Sequence, residues 1–166
     1  MKKGRTGYPR RSAARLVAVQ ALYQMEMSGA DPESVLHEQT ERARDPDADL
    51  VAPGEADQQF LGDLVRGFAA RRQDVDRILG AALSSAWPLA RLEAVLRAIL
   101  RAGAWELMSR PDIDAAVVIT EYVRIAEAFF EGGEPKLVNG VLDKLAVTLR
   151  QPEGTGQPDG GHAGNE

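Results

Sequence analysis

Three features of the sequence predict an all-α fold, a compact helical bundle. Apolar residues recur three or four apart in most segments between Arg11 and Leu149, and the breaks between those segments fall at Gly and Pro. The one run with strand character, Val117-Val118-Ile119-Thr120, sits between neighbours of helical period and is read as helix. At 166 residues the chain is long enough for one domain with a proper core and too short for two ordinary ones. It divides into a flexible basic arm over 1–9, a single all-α domain over 10–150 and a tail over 151–166.

The first helix spans Arg11 to Met27, with Leu16, Val19, Leu22, Tyr23 and Met27 as its apolar stripe. Ser28-Gly29 stops it. Asp31-Pro32 starts the second, with Asp at the N-cap and Pro at the first helical position, where a missing N–H is no loss. That helix runs to about Arg42. Residues 43–56, with Pro46, Pro53, Gly54 and four acids, read as a mobile loop. A longer helix carrying Phe60, Leu61, Leu64, Val65, Phe68, Val75, Ile78 and Leu79 follows, bending or breaking near Gly67 to Arg72 and ending at Trp87-Pro88.

Leu92, Val95, Leu96, Ile99, Leu100, Gly103 and Leu107 give the cleanest stripe, closed by Arg110-Pro111. In the next helix Ile119, Tyr122, Val123, Ala126 and Phe129 line one face and Glu121, Arg124 and Glu127 another, until Gly132-Gly133. Pro135 opens the last helix, striped by Val138, Val141, Leu142, Leu145 and Leu149. The tail has five glycines, two prolines and no large apolar side chain, so it cannot offset the entropy of ordering and is expected to be disordered.

Charge is unevenly spread. Lys2, Lys3, Arg5, Arg10, Arg11 and Arg15 give the first fifteen residues +6 with no acid, so the net −5 leaves −11 on the remainder. A basic arm on an acidic body suits a focused contact with a polyanion. The same run is equally compatible with a solvated N-terminal tail. Arg11 and Arg15, four apart, are expected on one helix face, able to grip successive phosphates.

Chemistry is sparse. There is no cysteine, hence no disulfide framework, thiolate nucleophile or sulfur-based metal site. His162 falls in the tail, leaving His37 as the one histidine of the body, without a nucleophile-turn signature for a Ser/His/Asp triad. No Gly-rich phosphate loop follows a strand, and neither HExxH nor EF-hand spacing occurs. No cofactor, metal or catalytic residue is expected. No apolar run approaches the length of a membrane span, so a soluble, non-exported, cytoplasmic protein is expected.

Glu106 edges toward the apolar face of its helix and reads as a helix-to-helix hydrogen-bond partner, as do Glu121 and Asp143. Asn139 reads as a residue that caps or bridges backbone groups. Gly140 stands inside a helix, at roughly 1 kcal/mol relative to Ala, and close packing against the missing side chain is the expected reason. Trp87 and Trp105 both lie beside apolar runs and read as core.

Three segments together carry a resemblance. Lys136-Leu137-Val138-Asn139-Gly140-Val141-Leu142-Asp143-Lys144-Leu145, Ile99-Leu100-Arg101-Ala102-Gly103-Ala104-Trp105-Glu106-Leu107 and Ala18-Val19-Gln20-Ala21-Leu22-Tyr23-Gln24 stand in the order and spacing of the transcription antitermination factor NusB family. The chain resembles that family over residues 10 to 150. The resemblance implies two small helical bundles sharing one core. It also implies binding of the boxA element of single-stranded RNA, as a heterodimer with NusE, a small-subunit ribosomal protein, within the RNA polymerase antitermination complex of ribosomal RNA operons. The family's RNA face, the basic start of helix one and the turn before the last helix, maps here to Arg11, Arg15 and Lys136, extended by Lys2, Lys3, Arg5 and Arg10.

Two positions depart from the family pattern. Leu137 replaces an aromatic common before Val-Asn-Gly and cannot stack on a base in the same way, and Ser12 stands where a third basic residue is common. A helical protein-interaction module without specific RNA binding is the alternative, motivated by the acidic body. A third reading, an RNA-modifying enzyme, follows from a similar helical domain fused to ribosomal RNA methyltransferases, but this chain has no cofactor loop.

Overall fold

The computed structural model describes residues 8–45, 47 and 55–150. The expectations for Lys2, Lys3, Arg5, the tail 151–166 with His162, and most of the 43–56 loop lie outside the described residues. Among the described residues seven α-helices follow one another: α1 (Tyr8–Ser28), α2 (Pro32–Arg44), α3 (Gln58–Ala70), α4 (Arg72–Ala82), α5 (Ala94–Ser109), α6 (Ala115–Phe129) and α7 (Glu134–Leu149). A short 3₁₀ turn, Leu89–Arg91, precedes α5. No strand occurs among the described residues, and Val117 to Thr120 are helical.

Local chemistry sets the boundaries. The Asp31 carboxylate accepts from the Ser34 N–H at 2.8 Å and Asp57 accepts from Phe60 N–H at 3.0 Å, capping α2 and α3. The long helix breaks at Arg71, whose backbone leaves the helical region at φ −123° and ψ 24°. Its second half stops at Ala82, five residues before Trp87. Leu83 turns extended, and the Ser84 hydroxyl takes the Ala86 N–H at 3.3 Å, a local bond that competes with continued helix.

α1, α2 and α3 pack on one another, as do α4 to α7, and α5 joins the two groups by touching α1, α3, α4, α6 and α7. One apolar core runs through all seven helices. From Ala98 to Leu107 every residue of α5 is buried, the state of a helix that is apolar nearly all round. Gly103 is where the close approach occurs: a Cβ there would lie 2.8 Å from Leu142 Cδ1. Gly67 plays the same part against Trp105, whose ring carbon Cζ2 would be 2.2 Å from an added Cβ.

Several expectations are corrected. Gly140 has nothing within 4 Å of where its Cβ would stand, so close packing inside the molecule is not its reason. Asn139 and Asp143 face solvent on α7. Neither makes a side-chain hydrogen bond among the described residues; both lie outside the buried stripe of Val138, Val141 and Leu142. Trp105 is core, but Trp87 is 63% exposed, since α4 ends before reaching it. Tyr23 and Met27, assigned to the buried stripe of α1, are 39% and 54% exposed near the end of that helix, and Phe129 is exposed at the end of α6. Glu121, assigned to a polar face, is buried.

Candidate nucleic-acid interface

α1 and α5 run antiparallel, which follows from two ties. Near its start α1 meets the end of α5 through Arg15 and Glu106; near its end, Glu26 meets the start of α5 through Arg97 and Arg101. Arg101 also holds Asp76 of α4, its Nε and Nη2 at 2.9 and 3.0 Å from the two carboxylate oxygens. The Arg97 hydrogen bond is the main cause that holds the Glu26 carboxyl below the ordinary range, against partial burial.

The start of α1 is fixed from three sides. The Asp57 N–H donates to the Arg10 carbonyl at 3.0 Å. Arg11, Arg15 and Arg110 surround the Phe60 ring, their guanidinium carbons 5.2, 5.0 and 5.3 Å from its centre. Arg110 is paired with Asp112, a bond that holds the Asp112 carboxyl down at about 2. Arg11, half-buried, and Arg10, exposed, form no ion pair among the described residues.

Arg15 does not share that availability, which corrects its expected role as a phosphate grip. It is 1% exposed. Its Nε donates to Glu106 Oε1 at 3.0 Å and its Nη2 to the same oxygen at 2.6 Å, while Tyr122 donates its hydroxyl to Glu106 Oε2 at 2.8 Å. Ser12, at the position where the family pattern favours a base, donates to Glu121 Oε1 at 3.0 Å. Glu121 Oε2 lies 3.9 Å from Arg15 Nη1, which makes no hydrogen bond of its own. Burial works against the Arg15 charge, but the Glu106 hydrogen bond and the surrounding negative charge outweigh it, so its pKa is raised. Burial first and Glu106 second push the Tyr122 phenol well up, keeping it a donor. Glu106 and Glu121 are therefore helix-to-helix partners, as expected. Arg15 belongs to that interior network, and its four-residue spacing from Arg11 carried no signal of burial.

Lys136 lies at the other end of the molecule from Arg10 and Arg11. Leu92, just before α5, and Leu96 in its first turn share a cleft with Gly133, just before α7, and Leu137 in its first turn. At the far end Arg150 donates to the carbonyls of Leu107, Arg110 and Ile113. So α5 and α7 are parallel, and the sixteen residues of α5 separate the two basic positions by about 24 Å along the bundle. A ligand touching both must be an extended chain. Sequence reasoning also missed the exposed Trp87 and Arg91 on the rim of the cleft beside Leu137; the Trp-Pro pair was the available signal that Trp87 sits in a turn.

No helix among the described residues is long and apolar enough to cross a membrane, and no group of three or more His, Asp or Glu could hold a metal ion there. The comparisons with known proteins agree with one another. Residues 12–147 match the NusB family. The chain is 50% identical over 140 residues to the transcription antitermination protein NusB of Caulobacter vibrioides, covering 84% of this chain and 94% of that one. It is 47% identical over 143 residues to the protein of that name from Bartonella henselae, covering 85% and 89%. Among solved structures, Thermotoga maritima (T. maritima) NusB superposes with a TM-score of 0.69 at 29% identity, over 88% of this chain and 92% of that one. A chain from the structure of antitermination factors NusB and NusE in complex with double-stranded RNA gives 0.70 at 24% identity, over 84% and 97%, and attests the fold. On the family match and these identities, the chain belongs to the NusB family.

Proposed function

We propose that this protein is a non-enzymatic, cytoplasmic antitermination factor. It binds a boxA-type single-stranded RNA together with a NusE-like ribosomal protein, helping RNA polymerase read through terminators, notably in ribosomal RNA operons. The observation that carries this reading is the 50% identity, over nearly the full length, to a protein that bears the antitermination name. The geometry supports it in two ways. Arg10 and Arg11 stand at the start of α1 outside any ion pair among the described residues, the arrangement that favours contact with phosphates. Tyr23 and Met27, one helical turn apart and exposed, offer an apolar patch suited to a protein partner.

A readthrough assay tests it. RNA polymerase on a terminator template with an upstream boxA should read through more when this chain and its cognate NusE-like protein are both added. Removal of boxA, or reversal of charge at Arg10 and Arg11, should abolish the gain. A folded chain that binds the ribosomal protein but leaves termination unchanged, with or without boxA, would instead favour the interaction-module reading.

A further inference from the structure

We propose that the Glu26–Arg97 ion pair couples the apolar patch at the end of α1 to the 3₁₀ turn Leu89–Arg91, so that a protein docked on Tyr23 and Met27 tightens the grip on RNA by stiffening that turn. This rests on the functional reading above, with the NusE-like protein on the patch and RNA along the basic positions. It assigns the residues that pass the effect of one ligand to the other.

Two arginines one helical turn apart on α5 converge on the Glu26 carboxylate. Arg97 holds both oxygens, its Nε 3.1 Å from Oε2 and its Nη2 bonded to Oε1. Arg101 Nη1 reaches the same Oε2 at 3.0 Å. Each arginine then spends its other donors elsewhere. Arg101 grips Asp76 of α4 through Nε and Nη2. Arg97 turns Nη1 onto the carbonyls of Leu92 at 2.6 Å, Leu89 at 3.3 Å and Ala90 at 3.4 Å. The connection from α4 to α5 is therefore tied to one carboxylate of α1 from both sides, α4 through Arg101 and the turn through Arg97.

The turn depends on such a tie. It is three residues long, closed by the Arg91 N–H on the Pro88 carbonyl at 2.9 Å and the Leu92 N–H on the Leu89 carbonyl at 3.2 Å, and so short a segment has little stability of its own. It carries Arg91, exposed on the rim of the cleft and outside any ion pair among the described residues. A guanidinium there serves a phosphate best when its backbone is already fixed. On the other side, Glu26 follows Tyr23 by three residues and adjoins Met27, largely buried yet still in contact with water. A protein covering Tyr23 and Met27 removes that water. In the lower dielectric left behind, the charged hydrogen bonds to Arg97 strengthen and the turn stiffens. RNA then meets an ordered Arg91, and the entropy of ordering it no longer opposes binding.

The test uses the full chain, a labelled boxA-like RNA and the cognate NusE-like protein. The quantity read by anisotropy is the enhancement, the ratio of RNA dissociation constants without the partner and at saturating partner, which a mere loss of partner affinity does not move. It should be about 5-fold or more in the unaltered chain. Glu26→Gln, and Arg97→Lys, whose single nitrogen cannot hold Glu26 and the turn together, should each bring it to within about 2-fold of none, with the fold intact by circular dichroism. The double variant should lose no more than either single change. Without RNA, the partner should slow amide hydrogen exchange at Arg91 and Leu92 in the unaltered chain and not in Glu26→Gln. An enhancement that survives both variants, or one absent from the unaltered chain, would overturn the coupling while RNA binding still stands. Equal slowing of exchange in Glu26→Gln would overturn it as well, the partner then covering the turn directly. No binding of RNA at low salt, with or without the partner, would remove the functional reading and the coupling with it.

Discussion

The Arg15 guanidinium on α1 and the Glu106 carboxylate on α5, 91 residues apart in sequence, form a buried ion pair, 1% and 0% exposed, that Tyr122 completes from α6. Three helices are thereby locked in register at the point where the basic start of α1 begins. A buried pair contributes little net stability relative to apolar residues of like size, but its separation strands a charge. Arg15→Ala is therefore expected to destabilise the fold by about 3–5 kcal/mol, measured by urea denaturation. Arg15→Met combined with Glu106→Leu should cost less than the two single changes added together. Additive losses would mean that the two groups do not act as a pair.

The glycines give a contrast within neighbouring helices. Gly103→Ala would drive a methyl into Leu142 and should destabilise by about 1–3 kcal/mol despite the better helix propensity of Ala. Gly140→Ala meets open space and should stabilise by up to about 1 kcal/mol. Equal effects at the two sites, again in urea, would contradict the packing described. If Gly140→Ala raises stability while weakening RNA or partner binding, its lack of a side chain serves a surface contact.

Acid should loosen the tie between the end of α1 and the start of α5. The folded-state pKa of Glu26 is depressed, chiefly by the Arg97 hydrogen bond, so its stabilisation is fully present above the ordinary glutamate range. It is lost as pH falls through the depressed value. Asp112, held at about 2 by Arg110, follows the same sign, fading from the ordinary aspartate value of about 3.9 down toward 2. Glu26→Gln should lower the midpoint of thermal unfolding at neutral pH by the equivalent of about 2 kcal/mol. The gap between variant and parent should close in acid, and a gap constant across the pH range would refute the linkage.

If the proposed RNA-binding reading holds, Arg10, exposed at the start of α1, is expected to meet phosphate, and Arg15, buried against Glu106, is not. Arg10→Ala should reduce the magnitude of the log K against log salt slope by about 0.7, one phosphate contact on a single strand. The paired change Arg15→Met with Glu106→Leu, which strands no charge, should leave that slope unchanged. The reverse ranking would show that the interior pair opens on binding.

Much of the fold could be read from the sequence because burial there is periodic. Asp31-Pro32, Gly132-Gly133 and the α5 stripe mark boundaries and faces by local chemistry alone, and Glu106 was legible as a carboxylate displaced toward an apolar face. The site was harder. Arg15 looks like Arg11 on a helical wheel, and its burial depends on Glu106, Glu121 and Tyr122 arriving from α5 and α6. Gly140 and Gly103 are both helical glycines, but only the packing partner distinguishes them. Trp87 lies beside an apolar run, and its exposure follows from α4 ending at Ala82, decided by the Ser84 hydroxyl and not by hydrophobicity.

The most direct test of the central claim is an anisotropy titration of a labelled boxA-like single-stranded RNA against a scrambled control, at two salt concentrations, with and without the cognate NusE-like protein. The account predicts tighter binding of the boxA-like RNA, enhanced by the protein partner and weakened steeply by salt. Equal, salt-sensitive binding of both RNAs, indifferent to the partner, would contradict it and reduce the start of α1 to a nonspecific polyanion contact.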